Sequence, residues 1–561
     1  MSKKHIRFII GALLLIYLFV APLTSMRWSL SQPPGYFYTG MLQSDQVTYT
    51  AIFRSVITRG TGFTYSYPYA PPGPDNPAVN FQLPFTLLAW MWKLAGKNVV
   101  AAWEILRFLS AAAFFVVLYL FSRDLFKNFY EEEDGGTVSP WYLIVFFVAL
   151  AFGGGIAWFF GGLKYLSELF SGDAAPDFLS VFFQTEKAYH WWFLNIFRNL
   201  FYPLETFYHV FFFLGLWGLV KKNNKLVFVS QILACLSGVF IGVELSAILL
   251  VFLFTEMLIS KAWPEILRFL FSLGIFLVFA SYYAFLLPMF RVPAVLAEQH
   301  KQTLYDLIPL HRYLPAYGIF LVLALLSLMN SGFRKKLFFS RTGRLVLIWV
   351  LVTGFLVLNH LFLPGKGFQP PHFTRGYLFA ALVAISAIGF FPAWKKLRQS
   401  NPRKSLIILI VILVLSLPDN ILFLAERVTV PPHRDVLMIR TDSKKALEFL
   451  EQLPGEETVF CTNYKFGYLI PAFSGHSSVF VEHYAMVNYG EIIVGIAEFS
   501  QNRNVEEFIE KYKITVIIMP RENGVARYFD QNIKRQEWNI LFENDLWKVY
   551  DCYSNVKDVN N

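Results

Sequence analysis

The chain has 561 residues, of which 55% are hydrophobic and only 16% charged, with a mean hydropathy of +0.46 and a net charge of +10. Soluble domains average about 25% charged residues, so most of this chain is built for lipid rather than water. The positive charge sits beside apolar runs, where anionic headgroups are its natural partner, and so does not point to nucleic acid.

The first run, 8–24, follows Lys3, Lys4 and Arg7. It starts like a signal peptide but lacks a small-x-small cleavage site, so it reads as a retained anchor. Ten more runs suit a helix crossing about 30 Å of hydrocarbon. They lie near 103–122, 140–160, 204–220, 226–242, 245–260, 266–289, 313–331, 344–363, 376–394 and 405–424. Basic clusters fall at alternate boundaries: Lys221, Lys222 and Lys225; Arg334, Lys335, Lys336, Arg341 and Arg344; Lys395, Lys396, Arg398, Arg403 and Lys404. Short Lys/Arg-rich loops stay cytoplasmic. The expectation is a polytopic α-helical protein of the plasma membrane with about eleven spans, its N-terminus inside and its tail outside. The run Phe81–Gly96 is short and carries Pro84 and Lys93, and counting it as a span would invert every later cluster. It is expected to lie at, or dip into, the outer interface.

Residues 1–424 then form the membrane domain, with long external loops at 25–102 and 161–203. Residues 425–561 form an external domain. Helical patterns at Ser443–Leu453 and Asn504–Tyr512 alternate there with strand patterns at Thr458–Cys461, Val479–Val481, Thr515–Met519 and Trp547–Tyr550, which predicts a self-contained mixed α/β fold. The stretch Gly467–Gly475 reads as turns. Cys235 reads as packing within a span, while Cys461 and Cys552 share the external domain and leave a disulfide open.

In the first loop, Tyr49, Ile52, Phe53, Val56 and Ile57 recur at helical spacing and predict a helix on the membrane surface. Asp45 stands at its start. It reads either as a helix cap or as a carboxylate above the bilayer that takes a hydroxyl proton or holds a cation. The Pro- and Tyr-rich stretch Tyr65–Pro77 suits interfacial anchoring or sugar stacking. The second loop offers Glu186 as a second carboxylate. Lys187, His190, Arg198, Arg291, Arg312, His372 and Arg375 are external cations suited to a phosphate, with headgroup contact as the plain alternative. Trp191 and Trp192 read as an aromatic belt, Glu104 and Arg107 as a helical pair, and Glu244 as a solvated carboxylate in an external turn. No Walker loop, H-E-x-x-H, G-x-S-x-G or C-x-x-C occurs, and no internal repeat is evident.

The layout resembles the GT-C superfamily of integral-membrane glycosyltransferases: an acidic residue soon after span one, a second large loop after span three, and an external α/β tail. The tail run Thr462-Asn-Tyr-Lys-Phe-Gly467-Tyr-Leu-Ile-Pro471-Ala-Phe-Ser474-Gly475 is similar to a T-x-Y-x-x-G-x-x-I-P-A-x-S-G stretch of bacterial members. The resemblance implies a polyprenyl-phosphate-sugar donor, an extracytoplasmic glycan, lipid or protein acceptor, and inverting transfer. It gives Asp45 the role of base or metal ligand and Glu186 that of second choice. Family members often carry paired acids in loop one. Here Ser44 and Gln46 flank Asp45, so a divalent cation, magnesium or manganese, stays open. A lipid or glycan transporter or flippase, and a non-catalytic glycan-binding membrane protein, are the alternatives. The transporter would need a polar path, for which Glu256, Gln231 and Glu104 are sparse material.

The topology has a direct check. Single-cysteine versions carrying Lys335→Cys or Asn463→Cys are expected to react with a membrane-impermeant thiol reagent from opposite faces. Labelling of both from one face would reverse the assignment.

Overall fold

The computed structural model describes residues 3–42, 45–74, 76–134, 139–171, 177–189, 195–286, 313–362, 371–429, 437–481, 489–501, 504–521 and 538–552. Within the described residues the eleven apolar runs are mainly helical, those at 140–160 and 226–242 each divided between two helices. The membrane helices are α1 (Lys3–Leu30), α4 (Val99–Asp134), α5 (Pro140–Phe152), α6 (Ala157–Phe170), α8 (Pro203–Val220), α9 (Asn224–Ser237), α10 (Val239–Ser260) and α11 (Trp263–Ser281). They continue as α12 (Tyr313–Met329), α13 (Ser331–Phe339), α14 (Arg341–Val357), α15 (Phe379–Ser400), α16 (Pro402–Ser416) and α17 (Pro418–Thr429). Among the described residues seven helices are long and apolar enough to cross a membrane unaided, or nine if two bent pairs each count as one span. The chain is a multi-pass membrane protein; among the described residues this measure gives seven to nine spans and does not confirm eleven.

The chain divides into two compact units. The first holds residues 1–24, 106–280 and 300–431, and the second 25–105, 281–299 and 432–561.

In the first unit, ends that the charge rule assigns to one side do meet. Lys221 lies 3.7 Å from Asp124, and Arg341 and Arg344 lie 3.5 and 2.6 Å from Glu256. Arg398 donates to Ser139 at 2.6 Å. α5 and α6 meet at a 63° bend over Gly153–Gly155. A Cβ on Gly154 would sit 3.1 Å from the Cβ of Asp419, so the bend needs a residue without a side chain. Glu244 is not in a turn. The chain breaks earlier, at Gly238, and Glu244 lies within α10, fully buried. The break falls there because α9 and α10 pack tightly: a Cβ on Gly242 would be 3.0 Å from the Cys235 Cα.

The second unit contains β1 (Tyr36–Tyr38), α2 (Asp45–Thr58), α3 (Leu83–Leu94), β2 (Met438–Arg440), α18 (Thr441–Gln452), β3 (Thr458–Cys461), α19 (Tyr464–Phe473), β4 (Ser477–Ser478), α20 (Tyr489–Ser500), α21 (Val505–Lys511), β5 (Val516–Pro520), β6 (Asn539–Glu543) and β7 (Trp547–Asp551). The remaining helix, α7 (Phe178–Tyr189), belongs to the first unit. The five-stranded sheet runs β4-β3-β5-β7-β6, with β3 parallel to β4 and β5, and β7 antiparallel to β5 and β6. α3 has 12 residues. That is about 18 Å of helix, too short to span hydrocarbon.

Three expectations for this unit are corrected. α2 is not a surface helix: nine of its fourteen residues are buried, on both its apolar and polar sides. The tail's core is not self-contained, because Met41, Val47, Ala51 and Tyr69 from the first loop complete it. β1 also pairs with β2, Phe37 opposite Ile439. Finally, Gly467–Gly475 is mostly helix. Asn463 caps α19 through the Lys465 and Phe466 N–H groups, and the glycine is there for packing. Cys461 and Cys552 are buried and free, and burial pushes the Cys461 thiol up to about 12, which leaves it inert.

Gly467→Ala tests the packing of α19. Helix propensity alone would favour alanine by about 1 kcal/mol. A Cβ at 467, however, would fall 2.1 Å from the Phe480 carbonyl oxygen, whereas at Gly490 it would meet nothing within 4 Å. Gly467→Ala is expected to lower the melting temperature by several degrees, and Gly490→Ala to leave it level or raise it.

Candidate functional site

Asp45 is the first residue of α2 and is half-buried. A carboxylate there meets the unpaired N–H groups and positive dipole end of the helix. Everything around α2 fixes it. Upstream, the Thr39 N–H donates to the Leu437 carbonyl at 2.9 Å. Along the helix, Thr48 Oγ1 and the Tyr468 hydroxyl are 2.6 Å apart, and Trp103 donates to Thr50 at 3.0 Å. Tyr49 stacks on Phe85 with ring centroids 5.5 Å apart. Arg54 donates to the carbonyls of Ala472 and Phe473, at 3.3 and 2.7 Å, and to Glu451 at 2.8 Å. Burial lowers the Arg54 pKa, and Glu451 counters that shift.

In the Tyr65–Pro77 stretch, Tyr65 and Tyr69 are buried in protein. Tyr69 stacks on Tyr468 at 5.7 Å, and Asn76 Nδ2 donates to the carbonyl of Tyr67 at 2.9 Å while its Oδ1 accepts from the Tyr67 N–H at 2.8 Å. The family-like tail motif thus has a physical reading: α19 presents Tyr468, Ala472 and Phe473 to loop one.

In the first unit the expected phosphate ligands turn inward. Arg198 is fully buried; it donates to Asn420 Oδ1 at 3.0 Å and lies over the Phe423 ring at 4.5 Å. Asn420 in turn donates to the carbonyls of Phe152 and Gly153 at 2.9 and 2.8 Å. Its neighbour Asp419 accepts from the N–H groups of Ala157 and Trp158 at 3.1 and 2.6 Å, which caps α6. Arg375 forms an ion pair with Glu205, and its carbonyl accepts from Asn199 at 2.8 Å and from His209 at 2.7 Å. His372 stacks on Phe240 with centroids 3.8 Å apart, and burial takes its pKa down to about 3. The structure brings Arg198 and Arg375 into one neighbourhood through the adjacent Asn199. Glu186 and Lys187 lie on α7 with side chains outside the described residues, and His190, Arg291 and Arg312 lie outside them altogether.

Glu205, His209 and Asp419 were not singled out from the sequence. Glu205 and His209 sit four apart in the apolar run 204–220, and an ionisable residue inside such a run was the available signal. Among the described residues no three His, Cys, Asp or Glu side chains gather as a metal site.

No protein-family model and no curated protein sequence matches the chain. Solved structures similar to it include ArnT from Cupriavidus metallidurans in the apo state, at 11% identity and a TM-score of 0.49, covering 96% of this chain and 98% of that one. The same protein bound to undecaprenyl phosphate gives 11% identity and a TM-score of 0.47, covering 98% of both. The oligosaccharyltransferase AglB from Archaeoglobus fulgidus, in complex with an inhibitory peptide and a dolichol-phosphate, gives 12% identity and a TM-score of 0.45, covering 90% of this chain and 69% of that one. Another structure of the Archaeoglobus protein holds zinc and sulfate. Both proteins are of the GT-C kind that the sequence layout resembles. At these identities and TM-scores no residue role passes from them to this chain.

Replacing Arg198 separates an internal lock from a phosphate ligand. Arg198→Met keeps the length of the side chain but removes its hydrogen bonds to the 419–420 turn. Loss of two charge-assisted bonds costs about 3 kcal/mol or more, so a marked drop in melting temperature is expected without any lipid present. An unchanged melting temperature would free Arg198 for a ligand.

Proposed function

We propose that this protein is a membrane glycosyltransferase that moves a sugar from a polyprenyl-phosphate carrier to an extracytoplasmic acceptor, with inversion at the anomeric carbon. Asp45 is its base. The observation that carries this reading is a half-buried carboxylate at the start of a helix that is held on every side by loop one and the tail. A general base works by being fixed within reach of one proton. In this reading Asp45 takes the proton of the acceptor hydroxyl as that oxygen bonds to the anomeric carbon, and the carbon–oxygen bond to the lipid phosphate breaks. The leaving phosphate needs positive charge. Lys187, His190, Arg291 and Arg312 are the cations proposed for it, since Arg198 and Arg375 have internal partners and His372 stacks on Phe240. Glu186 is the second candidate carboxylate. The tail is proposed to hold the acceptor or to gate access to it, without supplying the base. The lipid class is the one that the ArnT and AglB structures hold.

Asp45→Asn preserves size and most hydrogen bonding while removing the base. In cells expressing each form at equal level, mass spectrometry of envelope glycans is expected to show the product falling by roughly 100-fold to 10,000-fold. The purified variant should keep its melting temperature. Product at the wild-type level would leave Asp45 as a helix-terminal residue only.

A further inference from the structure

Glu244 is the sharpest electrostatic anomaly in the first unit. It is fully buried, and among the described residues neither carboxylate oxygen meets a partner at full hydrogen-bond geometry, Thr353 being close enough only for a weak one. The hydroxyls of Thr353, Tyr317 and Tyr377 are likewise buried without a partner at that geometry. These groups come from four separate segments, α10, α14, α12 and the 371–378 turn. They lie close together: Thr353 faces the carboxylate, and Tyr317 and Tyr377 are both within its electrostatic reach. The one arginine near Tyr377, Arg375, is committed to Glu205.

Two of the four segments are broken helices, and the breaks adjoin the two tyrosines. Gly318, next to Tyr317, has φ 52° and ψ −135° inside α12. Gly376, next to Tyr377, has φ 89° in the turn that opens α15. Close packing enforces both. A Cβ on Gly318 would lie 3.1 Å from the Gly155 carbonyl carbon, and one on Gly376 would lie 2.9 Å from Ile196 Cγ1. A break releases backbone carbonyls from the helical ladder, and interrupted membrane helices supply such carbonyls to bound cations.

We propose that Glu244 anchors a buried site for a single alkali-metal cation, completed by the Thr353 hydroxyl and by oxygens of the broken segments at Tyr317–Gly318 and Gly376–Tyr377. The donor set is entirely oxygen, which suits a hard cation. The charge count suits a monovalent one: Glu205 and Arg375 cancel, and an ionised Glu244 leaves one negative charge. Water could fill the hydrogen bonds but not balance that charge in a low-dielectric interior; a cation or a proton on Glu244 must do so. The cation ties four segments together where two of them have lost helical bonding. The site is independent of Asp45 and of the transfer reaction.

The test is thermal unfolding of the full chain in detergent, in mildly alkaline buffer at constant ionic strength. Replacing choline chloride by sodium or potassium chloride is expected to raise the melting temperature by several degrees, and to go on raising it with the logarithm of the salt concentration. Glu244→Gln keeps the shape and should abolish the response. Thr353→Val and Tyr377→Phe remove one oxygen each, and each should shift the response to about tenfold higher salt, as expected for a loss of about 1.4 kcal/mol in binding. These two variants carry the test if Glu244→Gln does not fold. Four results would overturn the proposal: no difference between choline and either alkali salt, an equal response in Glu244→Gln, an unchanged response in both hydroxyl variants, or a response to magnesium alone. A Glu244→Gln protein more stable than wild type and indifferent to salt would mean that Glu244 carries a proton instead.

Discussion

Arg54 decides how the second unit is built. A guanidinium buried in protein must have its donors satisfied and its charge balanced. Arg54 balances its charge and pairs its two terminal nitrogens, though not Nε, across some 400 residues of sequence, at two carbonyls that end α19 and at Glu451 on α18. Carbonyls at a helix C-terminus lack intrahelical partners and carry the negative end of the dipole, so a cation is the favoured cap. With that contact made, α2 lies against α19 along its length. The Thr48–Tyr468 and Tyr69–Tyr468 contacts follow, and the first loop and the tail become one core. Asp45 inherits its rigidity from this arrangement.

The parts of the fold legible in the sequence are those governed by local chemistry. Apolar runs became helices because hydrocarbon demands internally satisfied backbone. The basic clusters marked ends that do gather, as Lys221 with Asp124 and Arg344 with Glu256 show. Pro84, Lys93 and a short run foretold that α3 could not cross. Periodicity, however, cannot say what covers an apolar face. Ile52, Phe53 and Val56 have the spacing of a helix floating on lipid, and α2 buries them in protein instead. Gly467 and Pro471 have the look of a turn, but a glycine also marks close approach of backbone, which only the partner strand reveals. The error at Glu244 is of a third kind. A carboxylate between apolar runs is cheapest in a turn, and the chain took the costly option.

That cost recurs in the first unit. Arg198, Asp419, Glu205 and Glu244 are buried among membrane helices, and Arg375 is half-buried. Two of them, Asp419 and Arg198, act with Asn420 on backbone that regular helices cannot satisfy. Asp419 caps α6 just after the glycine bend, Asn420 covers the carbonyls that end α5, and Arg198 holds the turn carrying both. Broken helices in hydrocarbon need such groups, so the polar residues and the glycines are two halves of one device. A basic residue at the outer end of a span is therefore ambiguous in sequence. It meets a lipid phosphate if the neighbouring backbone is regular, and a broken helix if it is not.

Asp45 and Asp419 make the same distinction for acids. Both stand at helix N-termini, and sequence spacing treats them alike. Asp419 has both oxygens taken by the N–H groups of α6, sits beside Arg198, and is sealed from solvent. It can orient a helix but cannot reach a substrate proton. Asp45 is half-buried, at the head of a helix whose flanks are fixed by contacts made elsewhere. A base needs access at the carboxylate and immobility behind it, because an angstrom of slack costs catalysis far more than it costs stability. Asp419 meets only the second of these, so the proposed base is Asp45.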